Sequence, residues 1–137
     1  MNSVDKDGWT ALMYASFEGH VDIVKALLEK GANVNHTNKN GNTALIKASD
    51  KGHLDIVKAL LEKGANVDHQ AKVGWTALIS ASLEGHFDIV KALLEKRANV
   101  YYTNKYGKTA LDVARDKGFQ NIVDVLVQVR ISMRPVP

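Results

Sequence analysis

The arrangement of apolar and polar residues repeats along the chain with a period of 33 residues. The stretch from Gly8 to Val34 returns at residues 41–67, at residues 74–100 and, more loosely, from residue 107. A fixed period of this length predicts stacked supersecondary units, each in contact with its neighbours, rather than one closed core. The chain is therefore expected to hold four such units.

Each unit predicts two short helices separated by a glycine. In the first unit, residues 10–18 form one apolar face with Thr10 placed to cap the helix, and residues 21–30 carry a broader apolar stripe that suits packing on two sides. Helices of this length are marginal alone in water, so their stability must come from stacking. The apolar residues of the two helices are Leu12, Met13, Ala15, Ile23, Val24, Leu27 and Leu28.

The residue that follows each second helix is expected to adopt a left-handed conformation. Gly31 and Gly64 occupy this position in the first two units, where glycine is the usual residue. Arg97 takes the equivalent place in the third unit, where a Cβ atom costs about 1 kcal/mol unless the turn relaxes into another shape. We therefore expect Arg97→Gly to stabilise the protein.

The two ends of the array differ. In the fourth unit, Asp112 and Gln120 replace apolar residues, which is typical of a capping repeat with a wettable outer face. The first unit keeps interior-type residues such as Leu27, so its edge is expected to be uncapped. Near the C-terminus apolar and polar residues alternate from Val125, but the repeat context predicts helix up to about Val129. Pro135 and Pro137 forbid regular helix beyond it, so we expect an extended end, with a strand shared with a neighbouring molecule as the alternative.

These motifs resemble those of the ankyrin repeat family. The units share G-x-T-A-L-x-x-A, G-H-x-D-I-V-x-A-L-L and G-A-N-V over about 130 residues, although the family's usual T-P-L-H reads Thr10-Ala11-Leu12-Met13 here. The resemblance implies an all-α ankyrin repeat solenoid of four stacked helix-turn-helix units with projecting hairpin-like loops. The expected boundaries are a leader at residues 1–4, repeats at residues 5–37, 38–70, 71–103 and 104–134, the last of them cap-like, and a tail at residues 135–137.

Composition and charge exclude several classes of function. The chain has no cysteine, which rules out disulfides and thiolate chemistry. No apolar run approaches the roughly 20 residues needed to cross a bilayer. The net charge of +3 grades from −2 in residues 5–37 to +3 in residues 104–137, unlike the basic stripe of a nucleic-acid-binding protein. We expect no membrane or nucleic-acid partner and, from the family resemblance, a cytoplasmic (intracellular) location.

The recurring polar residues do not indicate catalysis or metal binding. His20, His53 and His86 fall one repeat apart, about 8–10 Å, whereas ligands of one zinc ion need bonds of about 2.0–2.1 Å. These histidines are expected to pack and to form hydrogen bonds. A catalytic serine needs a unique base, so Ser16 and its copies are expected only to pack between helices. We expect no enzymatic activity, no metal and no cofactor.

Residues that differ between the copies are the candidates for partner recognition. The fixed residues are small or apolar and explain stacking, whereas the variable ones include aromatic groups of the kind that dominate protein interfaces. The family resemblance places them on the concave surface of hairpin loops and first helices, and implies non-catalytic binding of a protein partner. The candidate residues are Trp9, Tyr14, Phe17, Asn42, Lys47, Asp50, Val73, Trp75, Leu83, Tyr106 and Lys108.

Alternatives stand beside this interpretation. The thrice-identical Lys-Ala-Leu-Leu-Glu-Lys and the lack of cysteine suit an engineered or consensus-derived scaffold without a dedicated ligand, whereas Arg97 and the irregular tail suit a natural origin. The tryptophans, in another interpretation, only cover the base of their own loops. We expect a monomer, with self-association through the uncapped N-terminal edge as the alternative.

Asn35 is a candidate hydroxylation site by resemblance alone. It follows Gly31-Ala32-Asn33-Val34 with Leu27 eight positions earlier, which is similar to the asparagine that an oxygenase hydroxylates in some ankyrin repeats. The equivalent residues in the next two units are Asp68 and Tyr101, so only one copy qualifies. A hydrogen-bonding role in the loop is the competing interpretation.

Overall fold

The computed structural model describes residues 2–132, and this range contains eight α-helices and no strand. The helices follow one another as four pairs joined by loops, with one 3₁₀ turn in the third loop at Lys72–Gly74. None of the helices in residues 2–132 has the length and apolar character that a membrane crossing requires. The helices are α1 (Ala11–Glu18), α2 (Val21–Glu29), α3 (Ala44–Lys51), α4 (Leu54–Glu62), α5 (Ala77–Glu84), α6 (Phe87–Glu95), α7 (Ala110–Lys117) and α8 (Gln120–Ser132).

Threonine and glycine fix the two ends of each first helix. The Thr10 hydroxyl accepts a hydrogen bond from the backbone N–H of Met13 at 3.2 Å, and the same bond recurs in the other three copies at 3.1–3.2 Å. Gly19 then ends α1 with a φ of 85°, a left-handed conformation that disfavours residues with a Cβ atom. The structure confirms the predicted threonine cap.

The turn after each second helix is left-handed, as expected. Gly31 and Gly64 have φ angles of 84° and 86°, and Arg97 has a φ of 61° at the equivalent position. The turn in the third repeat has therefore not relaxed into another shape. Arg97 keeps the backbone conformation that glycine adopts in the first two copies, although its Cβ atom disfavours it.

The helices stack in two layers. The first helices α1, α3, α5 and α7 pack against one another in sequence order, the second helices do the same, and each pair packs across the two layers. One contiguous apolar core runs through all four repeats. Leu45 and Leu78, from neighbouring first helices, are 1% and 2% exposed within it. The predicted all-α solenoid of stacked helix pairs is confirmed.

The N-terminal edge of the stack is apolar and open to solvent. Ile23 in α2 is 52% exposed, whereas its counterparts in α4, α6 and α8 are at most 2% exposed because the preceding repeat covers them. At the opposite end, the Asp112 carboxylate accepts a hydrogen bond from the backbone N–H of Thr109 at 3.0 Å and completes a capping box. The interpretation of the first repeat as uncapped and of the last as a capping repeat stays a prediction.

The last helix is longer than predicted. It continues to Ser132, three residues beyond the expected end at Val129. Val125 and Val127 pack partly buried against the core, so the alternating apolar residues mark a wide apolar face of a helix and not an extended segment. Proline restricts its own position and the residue before it, which leaves the backbone of Ser132 able to be helical. The predicted tail at residues 135–137 lies outside the described residues.

Candidate functional site

The loops that precede the first helices contain four tight turns, here called fingers 1 to 4. In finger 1 the backbone N–H of Asp5 donates to the carbonyl of Trp9 at 3.1 Å, and the equivalent bond closes the other three fingers at 2.7–3.0 Å. Each finger leads directly into a threonine cap, so the finger is fixed relative to the first helix that follows. The fingers are residues 5–9, 38–42, 71–75 and 104–108.

Three fingers are locked by the side chain of their first residue. In finger 2, Asn38 Oδ1 accepts hydrogen bonds from the backbone N–H groups of Asn40 and Asn42 at 2.9 and 3.0 Å. Asp5 in finger 1 and Asn104 in finger 4 form the same pair of bonds. A side-chain acceptor of this kind substitutes for a backbone turn and holds the finger in one shape.

Finger 3 lacks this lock. Its first residue is Ala71, which has no side-chain acceptor, and Val73 in its middle has a φ of 59° although it is β-branched. Such a conformation is a genuine outlier for a β-branched residue. We did not predict this difference, although an alanine in a column that is otherwise Asp and Asn carries the signal.

Neighbouring fingers are hydrogen-bonded to one another. The backbone N–H of Lys39 donates to the carbonyl of Asp7 at 3.0 Å, and that of Lys105 donates to the carbonyl of Val73 at 2.8 Å. The equivalent bond joins fingers 2 and 3 at 3.0 Å. The fingers therefore form one continuous row along an edge of the stack.

Trp9, Tyr14 and Phe17 form an aromatic cluster in the first repeat. The ring centroids of Trp9 and Tyr14 lie 4.8 Å apart in a stacked arrangement, and Phe17 meets Trp9 edge-on at 5.6 Å. Lys47 Nζ lies 5.3 Å from the centroid of the Trp9 ring, within cation–π distance. Trp9 also packs partly buried against the core.

A hydrogen bond ties this cluster to finger 1. The Tyr14 hydroxyl donates to the Asp5 carboxylate. That bond, together with the backbone N–H of Trp9, lowers the pKa of Asp5 below its usual value, and the same bond raises the pKa of Tyr14. Near neutral pH the pair is therefore an ionised carboxylate and a neutral phenol.

Two shallow hollows lie on either side of Trp75. Their volumes are about 250 and 280 Å³, below the range of about 300–1,000 Å³ that is usual for small-molecule pockets. They suit single side chains of a larger partner better than a whole ligand. Among the predicted residues, the first hollow contains Asn42, Lys47, Asp50, Trp75 and Leu83, and the second contains Trp75, Leu83, Tyr106 and Lys108.

The cluster and the hollows join into one surface. Lys47 contacts the aromatic cluster and also lines the first hollow, and Trp75 lines both hollows. Val73 lies outside the hollows but is 46% exposed on finger 3. Lys108 is paired with Asp116, and this bond raises the pKa of Lys108. We name the surface formed by the fingers and the adjoining exposed residues of the first helices the finger face; its role in binding stays a prediction.

The histidines of the second helices connect successive repeats. The Nε2 atoms of His53 and His86 each lie 3.0 Å from a backbone carbonyl oxygen of the preceding repeat, on Phe17 and Asp50 respectively. This confirms the predicted hydrogen-bonding role for His53 and His86. His36 makes a similar contact with the carbonyl of finger 1 at Gly8 at 3.0 Å. Across residues 2–132, no three His, Asp or Glu side chains gather in a way that could hold a metal ion.

The repeated serines are buried. Ser16, Ser49 and Ser82 are 0% exposed, and within residues 2–132 their hydroxyls have no hydrogen-bond partner. They fill space between helices, as predicted, in a position where a bulkier residue would separate neighbouring repeats.

Asn35 bridges two loops. Its side-chain amide donates to the carbonyl of Gly64 at 3.3 Å, and its Oδ1 accepts a hydrogen bond from the backbone N–H of Asn66 at 2.8 Å. One repeat later, Asp68 accepts the equivalent bond from Asn99 at 2.7 Å. The structure thus gives Asn35 the hydrogen-bonding role that competed with modification, and its hydroxylation stays a prediction.

Comparison with known proteins identifies the repeat. The NAD-capped RNA hydrolases NUDT12 of Macaca fascicularis, Pongo abelii and Homo sapiens are each 54% identical to this chain over 33 residues. That segment covers 24% of the chain and only 7% of each relative. A family model described as ankyrin repeats (3 copies) matches residues 1–71 and 64–134. Since that model covers almost the whole chain, the chain belongs to the ankyrin repeat family.

Proposed function

We propose that this chain is a non-catalytic module that binds a protein partner through the finger face. Ankyrin repeats generally serve protein–protein interaction. The observation that supports this particular surface is the position of Trp75 between two hollows lined by residues that differ from repeat to repeat. A partner side chain seated in either hollow would be shielded from water by Trp75 and Leu83.

The exposed apolar groups of the finger face support the same proposal. Tyr106, Tyr14 and Val73 are 69%, 46% and 46% exposed, and burying such groups against a partner is favourable. Tyrosine and tryptophan are frequent anchors of protein interfaces, where their truncation costs about 2 kcal/mol or more. The polar fingers beside them supply backbone groups and lysines for the rim of such an interface.

The proposal extends to a monomeric, cytoplasmic protein without enzymatic activity. The NUDT12 relatives are hydrolases, but only a 33-residue segment of each is similar to this chain, so their activity gives no argument for catalysis here. Sedimentation velocity tests the monomer. Self-association through the apolar N-terminal edge would instead give a concentration-dependent dimer that Ile23→Lys abolishes.

Cross-linking in a cell lysate, followed by mass spectrometry, tests the binding surface. The bait is the whole chain, beside a variant that carries Trp75→Ala and Tyr106→Ala. The matched control is Tyr101→Ala, which removes a 47% exposed aromatic ring that lies against Arg130 of α8 and outside the finger face. Circular dichroism verifies that all three proteins are equally helical.

We expect the wild type and the Tyr101 variant to recover the same partner, and the double variant to recover it at least about tenfold less. Equal recovery by the three folded proteins would remove the finger face as the binding surface. Loss of helical structure in the double variant would favour the alternative that Trp75 mainly supports its own finger.

We also propose Asn35 as a hydroxylation site, on the family resemblance alone. Intact-mass measurement after incubation with an asparaginyl oxygenase tests it. The expected result is one added oxygen atom in the wild type and none in Asn35→Ala. An unchanged mass of the wild type would leave Asn35 with only its hydrogen-bonding role.

A further inference from the structure

We propose that the fingers bind an acidic, extended segment of the partner protein, which lies across the row and contacts the lysines at the finger tips. The inference rests on the proposed function and names the chemistry of the partner. It follows from a second column of residues that repeats with the same period as the framework but has no part in packing. This column consists of Lys6, Lys39, Lys72 and Lys105, one lysine in each finger.

The four lysines are exposed and held in register. Each is the second residue of its finger, and all four are exposed to solvent. The backbone N–H groups of Lys39, Lys72 and Lys105 donate to carbonyls of the preceding finger at 2.8–3.0 Å. These bonds fix the spacing of the lysine Cα atoms. The column is therefore a regular row of positive charges on a rigid backbone.

The positive charge of this row is not balanced within the fingers. Fingers 2 to 4 carry Lys39, Lys72 and Lys105 without an acidic residue, and their fourth lysine, Lys108, is paired with Asp116 of α7. Finger 1 is the exception, because it holds Asp5 and Asp7 beside Lys6, and the Asp5 carboxylate accepts hydrogen bonds from Tyr14 and from its own finger; the excess of positive charge therefore lies on fingers 2 to 4. The second helices differ, because each of α2, α4 and α6 carries acidic and basic residues in equal number once the following lysine is included. An acidic partner is thus attracted to the fingers rather than to the opposite side.

The spacing of the row fits an extended peptide. Neighbouring repeats are separated by about one helix spacing, 8–10 Å, and a peptide in the extended polyproline II conformation advances about 3.1 Å per residue and presents every third side chain on the same face. An acidic side chain at about every third residue therefore meets successive lysines. The residues between them can place apolar side chains on Tyr106, whose ring lies 5.0 Å from Lys105 Nζ, and in the hollows beside Trp75.

A nucleic acid fits the same surface less well. The fingers contain no arginine, the residue whose planar fork matches phosphate in two hydrogen bonds. Trp75 packs partly buried against the core, whereas the aromatic residues that hold single strands present a free ring face to the bases. The geometry favours carboxylates on a polypeptide as the occupant.

Selection from a displayed random library tests the inference. The probe is a library of linear peptides of about 12 residues, long enough in extended form to cross all four fingers, panned on the whole chain. Enriched peptides are synthesised, together with analogues in which Asn and Gln replace Asp and Glu. Binding is measured by fluorescence anisotropy beside a single-stranded oligothymidylate of similar length.

The chain offers a matched control for charge. One variant carries Lys39→Glu, Lys72→Glu and Lys105→Glu. The control reverses three exposed lysines that have the same 33-residue spacing on the second helices, and it therefore has the same net charge. Its substitutions are Lys25→Glu, Lys58→Glu and Lys91→Glu. Substitution by Gln at the finger positions provides a milder variant if the reversed finger variant fails to fold.

We expect the selection to enrich acidic peptides. Their affinity should fall by about tenfold or more for the finger variant, because the exposed ion pairs with the lysines are lost, and much less for the control variant. Equal loss in both variants, tighter binding of the oligothymidylate, or no enriched peptide would overturn the inference. Peptides that lose binding with Trp75→Ala but not with the finger variant would also overturn it, and would still support the finger face as a protein-binding surface.

Discussion

Arg97 holds a backbone conformation that its own Cβ atom disfavours. Its φ of 61° lies in the left-handed region that Gly31 and Gly64 occupy in the earlier repeats. A Cβ atom at Gly31 or Gly64 would meet no other atom within 4 Å, so the penalty at this turn comes from the local backbone and not from crowding. Arg97 is exposed, and its side chain gains little from burial in return.

Arg97→Gly is therefore expected to raise the free energy of unfolding by about 1 kcal/mol, less the extra entropy that glycine gives the unfolded chain. Urea denaturation measures the change. The control is Lys96→Gly at the preceding residue, whose φ of −92° suits any side chain, and it should not stabilise the protein. A midpoint that stays the same or falls in Arg97→Gly would count against strain at this turn.

The hydroxyl of Tyr14 affects how the free energy of unfolding changes at acid pH, because it is hydrogen-bonded to Asp5. The Tyr14 hydroxyl lowers the pKa of Asp5 because it donates to the ionised carboxylate. A carboxyl group whose pKa is lowered on folding stabilises the folded state above its ordinary pKa, and this contribution is lost as the pH falls through the folded-state pKa.

In Tyr14→Phe the pKa of Asp5 is expected to rise towards its ordinary value, although the backbone N–H groups of finger 1 keep part of the shift. NMR titration of the Asp5 carboxyl carbon measures it. The stabilities of wild type and variant should converge at low pH, where Asp5 is protonated in both. Tyr106→Phe serves as the control, and an Asp5 pKa that does not change in Tyr14→Phe would show that the hydroxyl has no influence.

At the scale of the elements, finger 3 is the least constrained of the four fingers, because its first residue offers no side-chain acceptor. Asn38 and Asn104, which lock fingers 2 and 4, are 7% and 8% exposed, and Ala71 at the same position is 8% exposed. The position therefore accommodates an asparagine in two of the other fingers. Without that acceptor, the middle residue Val73 keeps a left-handed backbone at its own cost.

Ala71→Asn is expected to raise the free energy of unfolding by about 1 kcal/mol, because two backbone N–H groups gain an acceptor. Asn38→Ala, the reverse change in finger 2, should lower it by a similar amount. Urea denaturation gives both values, and hydrogen exchange at the amides of Val73 and Trp75 should slow in Ala71→Asn. Unchanged exchange together with unchanged stability would show that finger 3 does not use the acceptor.

The helices were predictable because their signals are local and repeated. Threonine caps, glycine ends and the apolar stripe all lie within one repeat, and four copies reinforce each other. The end of α8 was missed because the nearby prolines favoured an earlier end, whereas the helix continues to Ser132 with Arg130 lying against the Tyr101 ring of the neighbouring repeat. The hydrogen bonds that lock the fingers were missed because candidate residues were sought among the packing positions and among the positions that vary between repeats. The first residue of each finger belongs to neither group, because it is nearly constant and is Asp or Asn in three of the four fingers.

The site residues likewise divide into those that the sequence identifies and those that only the folded stack reveals. The variable columns of the sequence identified Trp75, Leu83 and Tyr106, which the structure places around two adjoining hollows. The contact between Lys47 and the ring of Trp9 joins two repeats, and no pattern within one repeat encodes it. The contacts of His36 and Asn35 likewise join residues about 30 positions apart and became visible only in the stack.

At the scale of the whole molecule, each repeat depends on the next for both apolar and polar contacts. The core residues of α4 are covered by the helices on either side, and the finger, histidine and asparagine bonds all cross from one repeat to another. Stability in such a chain is close to a sum of repeat and interface terms. The same substitution should therefore have different effects at an edge and in the interior.

Ile23 and Ile56 allow that comparison at equivalent positions of α2 and α4, since Ile23 is 52% exposed and Ile56 is 1% exposed. Ile56→Ala is expected to cost about 2–5 kcal/mol, because it opens a cavity between two repeats. Ile23→Ala removes a side chain that is already half in water and should cost about 1 kcal/mol or less. Urea denaturation measures both, with circular dichroism to follow all helices and the fluorescence of Trp9 and Trp75 to follow the first and third repeats. An equal loss of stability in the two variants would mean that Ile23 is covered in solution, as self-association through the open edge of the first repeat would require. Sedimentation of the wild type at the same concentration would then have to show a dimer.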